Sequence, residues 1–249
     1  TRWTFIHFPM CNLHWLRLLP SRWTVNQAYR GRSQEEALQR LSQSRRAGPR
    51  QISGEGRLPI EDGCFEYWSE FLAPAEASHY CQTLIKKVSW HTPRVHLYGR
   101  WVNSPRQAAW YGDPEAVYGY SGSVNQPLPW LAELKELGEQ LTAFSGHSFN
   151  SVLLNYYRTG SQSMGWHSDD ERELGTAPAI ASISLGSPRR FLLRHRRRKD
   201  FPMHEIALGH GSLLLMSGES QTAWRHSVPK TTRPVAPRVN LTFRQIQGS

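Results

Sequence analysis

Ile180-Ala181-Ser182-Ile183-Ser184-Leu185-Gly186-Ser187-Pro188-Arg189-Arg190-Phe191-Leu192-Leu193-Arg194 reads as two short strands around a tight turn. Aliphatic and aromatic residues recur through both arms, and Gly186 to Pro188 interrupts them where neither arm can continue. The same pattern repeats outward. Strands are expected at 149–157, 179–185, 189–194, 203–208, 212–216 and 238–246, separated by Gly160, Gly165, Gly175 and Gly209 to Gly211. Upstream the period changes. Ala77, Tyr80, Cys81, Leu84 and Val88 recur at helical spacing behind Pro74. A second helix is expected to open at Pro129, with Leu131, Leu134, Leu137, Leu141 and Phe144 facing a core and Gly146 ending it. Helices first and many short strands afterwards predict an α+β domain with a double-sheet jelly-roll core.

The 249 residues suffice for one sizeable domain and an extension. The formal charge of +10 favours a polyanionic partner, although a basic surface can serve solubility alone. It is unevenly placed: residues 1–56 hold nine Arg, no Lys and three Glu, which leaves only +4 for the rest. Those residues, with a short helix expected at 34–41, read as a basic extension and linker, poorly ordered in part. The folded domain is expected to start near Arg57. Glu35 and Glu36 argue against an organelle-targeting leader. Cys11, Cys64 and Cys81 form no C-x-x-C pair, so a reducing compartment is expected rather than secretion. No apolar run approaches bilayer-spanning length.

Three clusters carry chemistry. His167 and Asp169 stand two apart, where extended backbone points side chains the same way, and His226 follows 59 residues later. Two imidazoles and a carboxylate on one face of a metal leave open positions for a chelating keto acid and dioxygen. Alone, the pair is more commonly a loop histidine beside a solvated aspartate. In Arg238-Val239-Asn240-Leu241-Thr242-Phe243-Arg244 the alternation is strict. Such a polar face commonly meets water, yet two arginines suit a ligand with a carboxylate at each end. Asn155 and Tyr157 share a face of another strand.

Together Asn155-Tyr156-Tyr157, Trp166 to Glu171, Ile180 to Gly186, Trp224-Arg225-His226 and Pro237 to Arg244 resemble the AlkB family of nucleic-acid demethylases, over about Phe65 to Ile246 and closest to its DNA-repair members. The resemblance implies a double-stranded β-helix core (about 149–246) with two supporting helices and a nucleotide-recognition lid (about 90–125), all within a 57–249 domain. It implies His167, Asp169 and His226 as Fe(II) ligands, and Arg238 on the distal carboxylate of 2-oxoglutarate, with Asn155, Tyr157, Asn240 and Arg244 completing that site. It also implies that dioxygen is consumed and formaldehyde released, with 1-methyladenine and 3-methylcytosine as expected lesions.

Substrate contacts follow the same logic. Val95 to Trp101 reads as strand, tight turn at Gly99, and return strand, with Tyr98 at the tip beside Arg100. An aromatic there can wedge into the gap left by an extruded base, or pack on its own hairpin. By resemblance Tyr98 probes the duplex and Tyr118 and Tyr120 line the base pocket. Arg106 and Trp110 are assigned there too, and Asp170 and Glu171 contact the base or order that pocket; read from the residues alone, the two tyrosines are ordinary core aromatics and the two acids a solvated turn. Arg189 to Lys199 places seven cations in eleven residues, read here as phosphate-binding. The expected partner is alkylated DNA, duplex or single-stranded, with RNA as the alternative substrate and a non-catalytic nucleic-acid binder as a further one. A monomer is expected, cytoplasmic in a bacterium and nuclear in a eukaryote.

Overall fold

In a computed structural model the protein is described for residues 48–97, 99–120 and 123–247. The expected helix at 34–41, Cys11 and the aromatic start of the chain lie outside them. The elements run β1 (Arg50–Ile52), β2 (Gly56–Arg57), β3 (Cys64–Trp68), α1 (Pro74–Lys87), β4 (Arg94–Leu97), β5 (Arg100–Asn103), β6 (Gln107–Gly112), β7 (Tyr118–Tyr120), β8 (Ser123–Asn125) and α2 (Ala132–Ser145). They continue β9 (Ser151–Tyr157), β10 (Met164–His167), β11 (Ile180–Gly186), β12 (Arg189–His195), β13 (His204–Leu208), β14 (Ser212–Ser217), α3 (Ser220–Ala223), β15 (Trp224–Val228) and β16 (Arg238–Arg244).

Two sheets form the core. One has the order β1-β13-β12-β15-β10, the other β2-β3-β14-β11-β16-β9-β6, and β4–β5 and β7–β8 are separate hairpins. This is the jelly roll expected from the sequence. Helices α1 and α2 cover the seven-stranded sheet. Ala77, Tyr80 and Leu84 from one, and Leu134, Leu137 and Leu141 from the other, join Val152, Leu154, Val239, Leu241 and Phe243 in one apolar cluster. Each fully buried leucine contributes on the order of 1.5–3 kcal/mol. Phe191, Leu193, Ile206, Ile180 and Trp224 belong to a second cluster. The apolar alternate residues of β16 therefore face the helices, and its polar ones face the space between the sheets.

Three expectations need correction. The fold does not start near Arg57: β1 pairs in parallel with β13, Arg50 opposite His204, so the last linker residues already extend a sheet. The span assigned to a lid contains β6, which pairs with β9 from Gln107 opposite Tyr156 to Gly112 opposite Ser151 and is thus part of the core sheet. Helix α2 starts at Ala132, with Leu131 extended before it, and Phe144 is 47 % exposed at its end. There it packs edge-on against Trp68 and Phe71. Gly146 closes the helix in the left-handed conformation at φ 71°. No helix among the described residues is long and apolar enough to cross a membrane, and Cys64 and Cys81 are free thiols.

Candidate metal centre

Strand pairing assembles the metal cluster. β10 and β15 run antiparallel with His167 directly opposite His226, which is how residues 59 apart become neighbours. Their Nε2 atoms lie 3.1 Å apart, and Asp169 Oδ1 lies 4.0 Å from His167 Nε2. All three ligand atoms fall within 4.8 Å of one another. Two imidazoles at right angles on one ion, each bonded at about 2.1 Å, would stand about 3 Å apart, so the spacing fits a shared metal. His167 Nδ1 lies 2.9 Å from the Gly165 carbonyl. Donation to that carbonyl places the proton on Nδ1 and leaves the Nε2 lone pair turned toward the cluster.

The electrostatics agree. Burial, followed by the neighbouring His167, pushes His226 down to about 3, so its imidazole is neutral at physiological pH. Burial alone would raise the Asp169 carboxyl, but the Arg244 charge and both imidazoles outweigh it and hold the group below its ordinary value. Arg244 Nη2 donates to Asp169 Oδ1 at 2.7 Å. The result is two imidazole nitrogens and one anionic oxygen, a donor set that suits a ferrous ion.

Sequence reasoning did not find two supports of this cluster. Gln221 on α3 is 1 % exposed, and its Oε1 accepts the Asp169 backbone N–H at 3.0 Å. Phe191 on β12 stacks on the His226 ring, with centroids 5.1 Å apart and planes 23° apart. Neither signal is local. Both contacts arise from chain segments 35 to 52 residues from their partners.

The polar face of β16 turns inward rather than to water. Arg238 is 1 % exposed; its Nη2 donates to Ser184 Oγ at 2.9 Å and to Asn240 Oδ1 at 2.6 Å. Its Nε and Nη1 are buried and meet no acceptor. Leaving such donors unsatisfied is costly, so an anion that completes them is strongly favoured. Tyr157 lies opposite Arg238 in the ladder and Asn155 opposite Asn240. Of the five residues expected at the co-substrate site, Arg238, Tyr157, Asn155 and Asn240 lie together on β16 and β9, whereas Arg244 pairs with Asp169. Arg106 Nε donates to Asn155 Oδ1 at 2.6 Å, tying a residue assigned to the base pocket to the co-substrate side.

The remaining candidates divide. Trp110 packs from β6 against the cluster between the sheets. Gly99 turns the β4–β5 hairpin at φ 77°, and Arg100 is exposed beside it. Tyr98 lies outside the described residues, and only the backbone of Tyr118 and Tyr120, in β7, is described. Asp170, expected at the base or its pocket, pairs with Arg196. Glu171 has a buried Oε2 that accepts no hydrogen bond. Of the seven cations in Arg189 to Lys199, Arg190 pairs with Glu205, Arg194 covers the Trp166 ring at 4.6 Å, Arg198 pairs with Asp200, and Arg189 is buried. Among the described residues, only Arg197 and Lys199 of that run make no ion pair or ring contact, so much of the charge is structural.

Comparison with known proteins converges on this geometry. The model of the 2OG-Fe(II) oxygenase superfamily matches residues 65–244. The human DNA oxidative demethylase ALKBH2 is 41% identical over 181 residues, 69% of each chain. The human alpha-ketoglutarate-dependent dioxygenase alkB homolog 3 is 39% identical over 184 residues, 71% of this chain and 64% of that one. Among solved structures OsALKBH1 has the same fold, with a TM-score of 0.54 at 21% identity, covering 73% of this chain and 97% of the other.

Proposed function

The chain belongs to the 2OG-Fe(II) oxygenase superfamily and, within it, to the AlkB family, and on that footing we propose that it strips methyl groups from ring nitrogens of DNA bases, 1-methyladenine and 3-methylcytosine foremost. One observation carries the reading. A single inward face of β16 holds Arg244 against the Asp169 carboxylate and, at its other end, Arg238 with two buried donors lacking acceptors. A short dicarboxylate beside a metal is the ligand that such a face suits.

His167, Asp169 and His226 would hold iron, and Arg238, with Asn240, Tyr157 and Asn155 around it, would hold the distal carboxylate of 2-oxoglutarate. Bound there, the iron and the keto acid supply the oxidising power by activating dioxygen, with the keto acid ending as succinate and carbon dioxide. The residues of the chain supply position and charge. Arg244 keeps Asp169 ionised, and Phe191 and Gln221 hold the ligands in register. Both lesions are cationic bases, and the unpartnered Glu171 oxygen suits a cation or an exocyclic amine. Removing a methyl group from a base inside a stack requires extrusion, for which Tyr98 is the proposed wedge. The catalytic unit so defined runs from about Arg50, works as a monomer, and acts in whichever compartment holds the DNA, the nucleus in a eukaryote.

Formaldehyde release from matched single- and double-stranded DNA and RNA oligonucleotides carrying one lesion tests the proposal. Release from DNA, abolished by His167→Ala, is expected. Tyr98→Ala should lower release from duplex selectively. Release from RNA alone would replace the DNA reading by an RNA one. A protein whose melting temperature fails to rise with iron and 2-oxoglutarate would be a binder only.

A further inference from the structure

A buried guanidinium cannot escape its desolvation by losing a proton, so it requires an anion or a full set of acceptors. Two such groups occupy one end of the space between the sheets. Arg238 is 1 % and Arg189 4 % exposed, and neither pairs with a carboxylate among the described residues. They come from opposite sheets, β16 and β12, and approach one ring. Their Cζ atoms lie 5.3 Å and 5.5 Å from the centroid of Tyr157. Burial lowers the proton affinity of both, and the Arg189 charge lowers that of Arg238 further.

The two differ in what their nitrogens do. Arg238 keeps Nε and Nη1 without acceptors. Arg189 Nη2 donates to the Gln162 carbonyl at 2.8 Å and the Pro229 carbonyl at 2.6 Å. Those carbonyls belong to the β9–β10 and β15–β16 connections, which also meet through Thr231 N–H on the Gly160 carbonyl at 2.8 Å. A Cβ on Gly160 would lie 2.6 Å from the Thr231 carbonyl oxygen, so the loops are in close contact. Both leave the sheet at the end where Tyr157 closes β9 and Arg238 opens β16.

We propose that Arg189 is a positioning residue for the far end of the co-substrate: its charge makes the pocket selective for a 2-oxo acid with two carboxylates, and its paired hydrogen bonds staple both loops beside that end. The inference rests on Arg238 as the anchor of the distal carboxylate. With a ligand carboxylate on Arg238, the region changes from two cations without a carboxylate partner among the described residues to two cations sharing an anion. Without Arg189, a dicarboxylate loses part of that attraction, whereas a keto acid ending in a methyl group loses none of it.

Calorimetric titration of the Mn(II)-loaded protein with 2-oxoglutarate and with 2-oxopentanoate, its five-carbon monocarboxylic counterpart, separates the possibilities. Arg189→Met should weaken 2-oxoglutarate by about tenfold or more and leave 2-oxopentanoate within about twofold. In turnover, KM for 2-oxoglutarate should rise while kcat holds. Arg189→Lys keeps the charge without the fork, and should preserve the preference for the dicarboxylate even if both ligands bind more loosely. That variant decides the matter if Arg189→Met does not fold. Equal weakening of both ligands, unchanged affinity in Arg189→Met, or loss of the preference in Arg189→Lys would overturn the role of Arg189 alone. Failure of the wild-type protein to bind 2-oxoglutarate would instead overturn the oxygenase reading on which it rests.

Discussion

His226 is an imidazole that burial keeps neutral, with consequences that reach beyond the reaction. The unfolded chain protonates it near the ordinary value of about 6.5, the folded chain only near about 3. Its contribution to stability is therefore complete above that ordinary value and is lost as pH falls through the window between the two. Asp169, held below its ordinary value chiefly against burial by Arg244, adds its own loss at lower pH, under the usual carboxylate range. Urea unfolding of the metal-free protein between pH 6 and 4 should show stability falling by up to about 1.4 kcal/mol per pH unit from His226. His226→Gln should flatten that slope, and an unchanged slope would remove the assignment. Gln221→Ala, which frees the Asp169 backbone, should weaken divalent metal binding about 10- to 100-fold, measured by Mn(II) titration. Of these residues the sequence disclosed the pairing of His167 with Asp169, because two-residue spacing on extended chain is a local property, and His226 only through its resemblance to a known motif. It did not disclose Gln221, Phe191 or the burial of Arg189, because each depends on which distant segment lies opposite.

At the scale of elements, β16 shows how one alternation supports two readings. Its pattern was legible, and so were both helices and most of the later strands. Alternation alone left open which face meets water, but the two arginines pointed to an enclosed ligand, and the hydrophilic side of β16 does turn inward. β6 escaped notice because Gln107 to Gly112 lacks the β-branched residues that mark a strand, and β1 because three residues cannot establish a period. The turn between β11 and β12 bears directly on the pocket. Gly186 sits at φ 91°, opposite Arg238, and a Cβ there would lie 2.3 Å from the Pro237 carbonyl oxygen. Gly186→Ala should cost more than about 1 kcal/mol, read as a lower thermal midpoint. It should also raise KM for 2-oxoglutarate, because the backbone that must shift carries Arg238. A thermal loss without any change in KM would uncouple the turn from the pocket.

For the whole molecule, the charge of +10 overstates what is available to phosphates, since five of the seven cations between Arg189 and Lys199 are engaged within the fold. Replacing Arg197 and Lys199 together by glutamine should reduce the slope of log affinity for DNA against log salt by about two phosphate equivalents. An unchanged slope would place the phosphate contacts elsewhere. The parallel strand β1 has a different consequence. It occupies the outer flank of β13 and satisfies backbone groups that would otherwise await another chain. Trimming the protein at the compositional break near Arg57 would strip that cover and leave an adhesive border. The shortened protein should retain its catalytic residues yet self-associate, whereas one beginning a few residues ahead of Arg50 should stay dispersed at the same concentration.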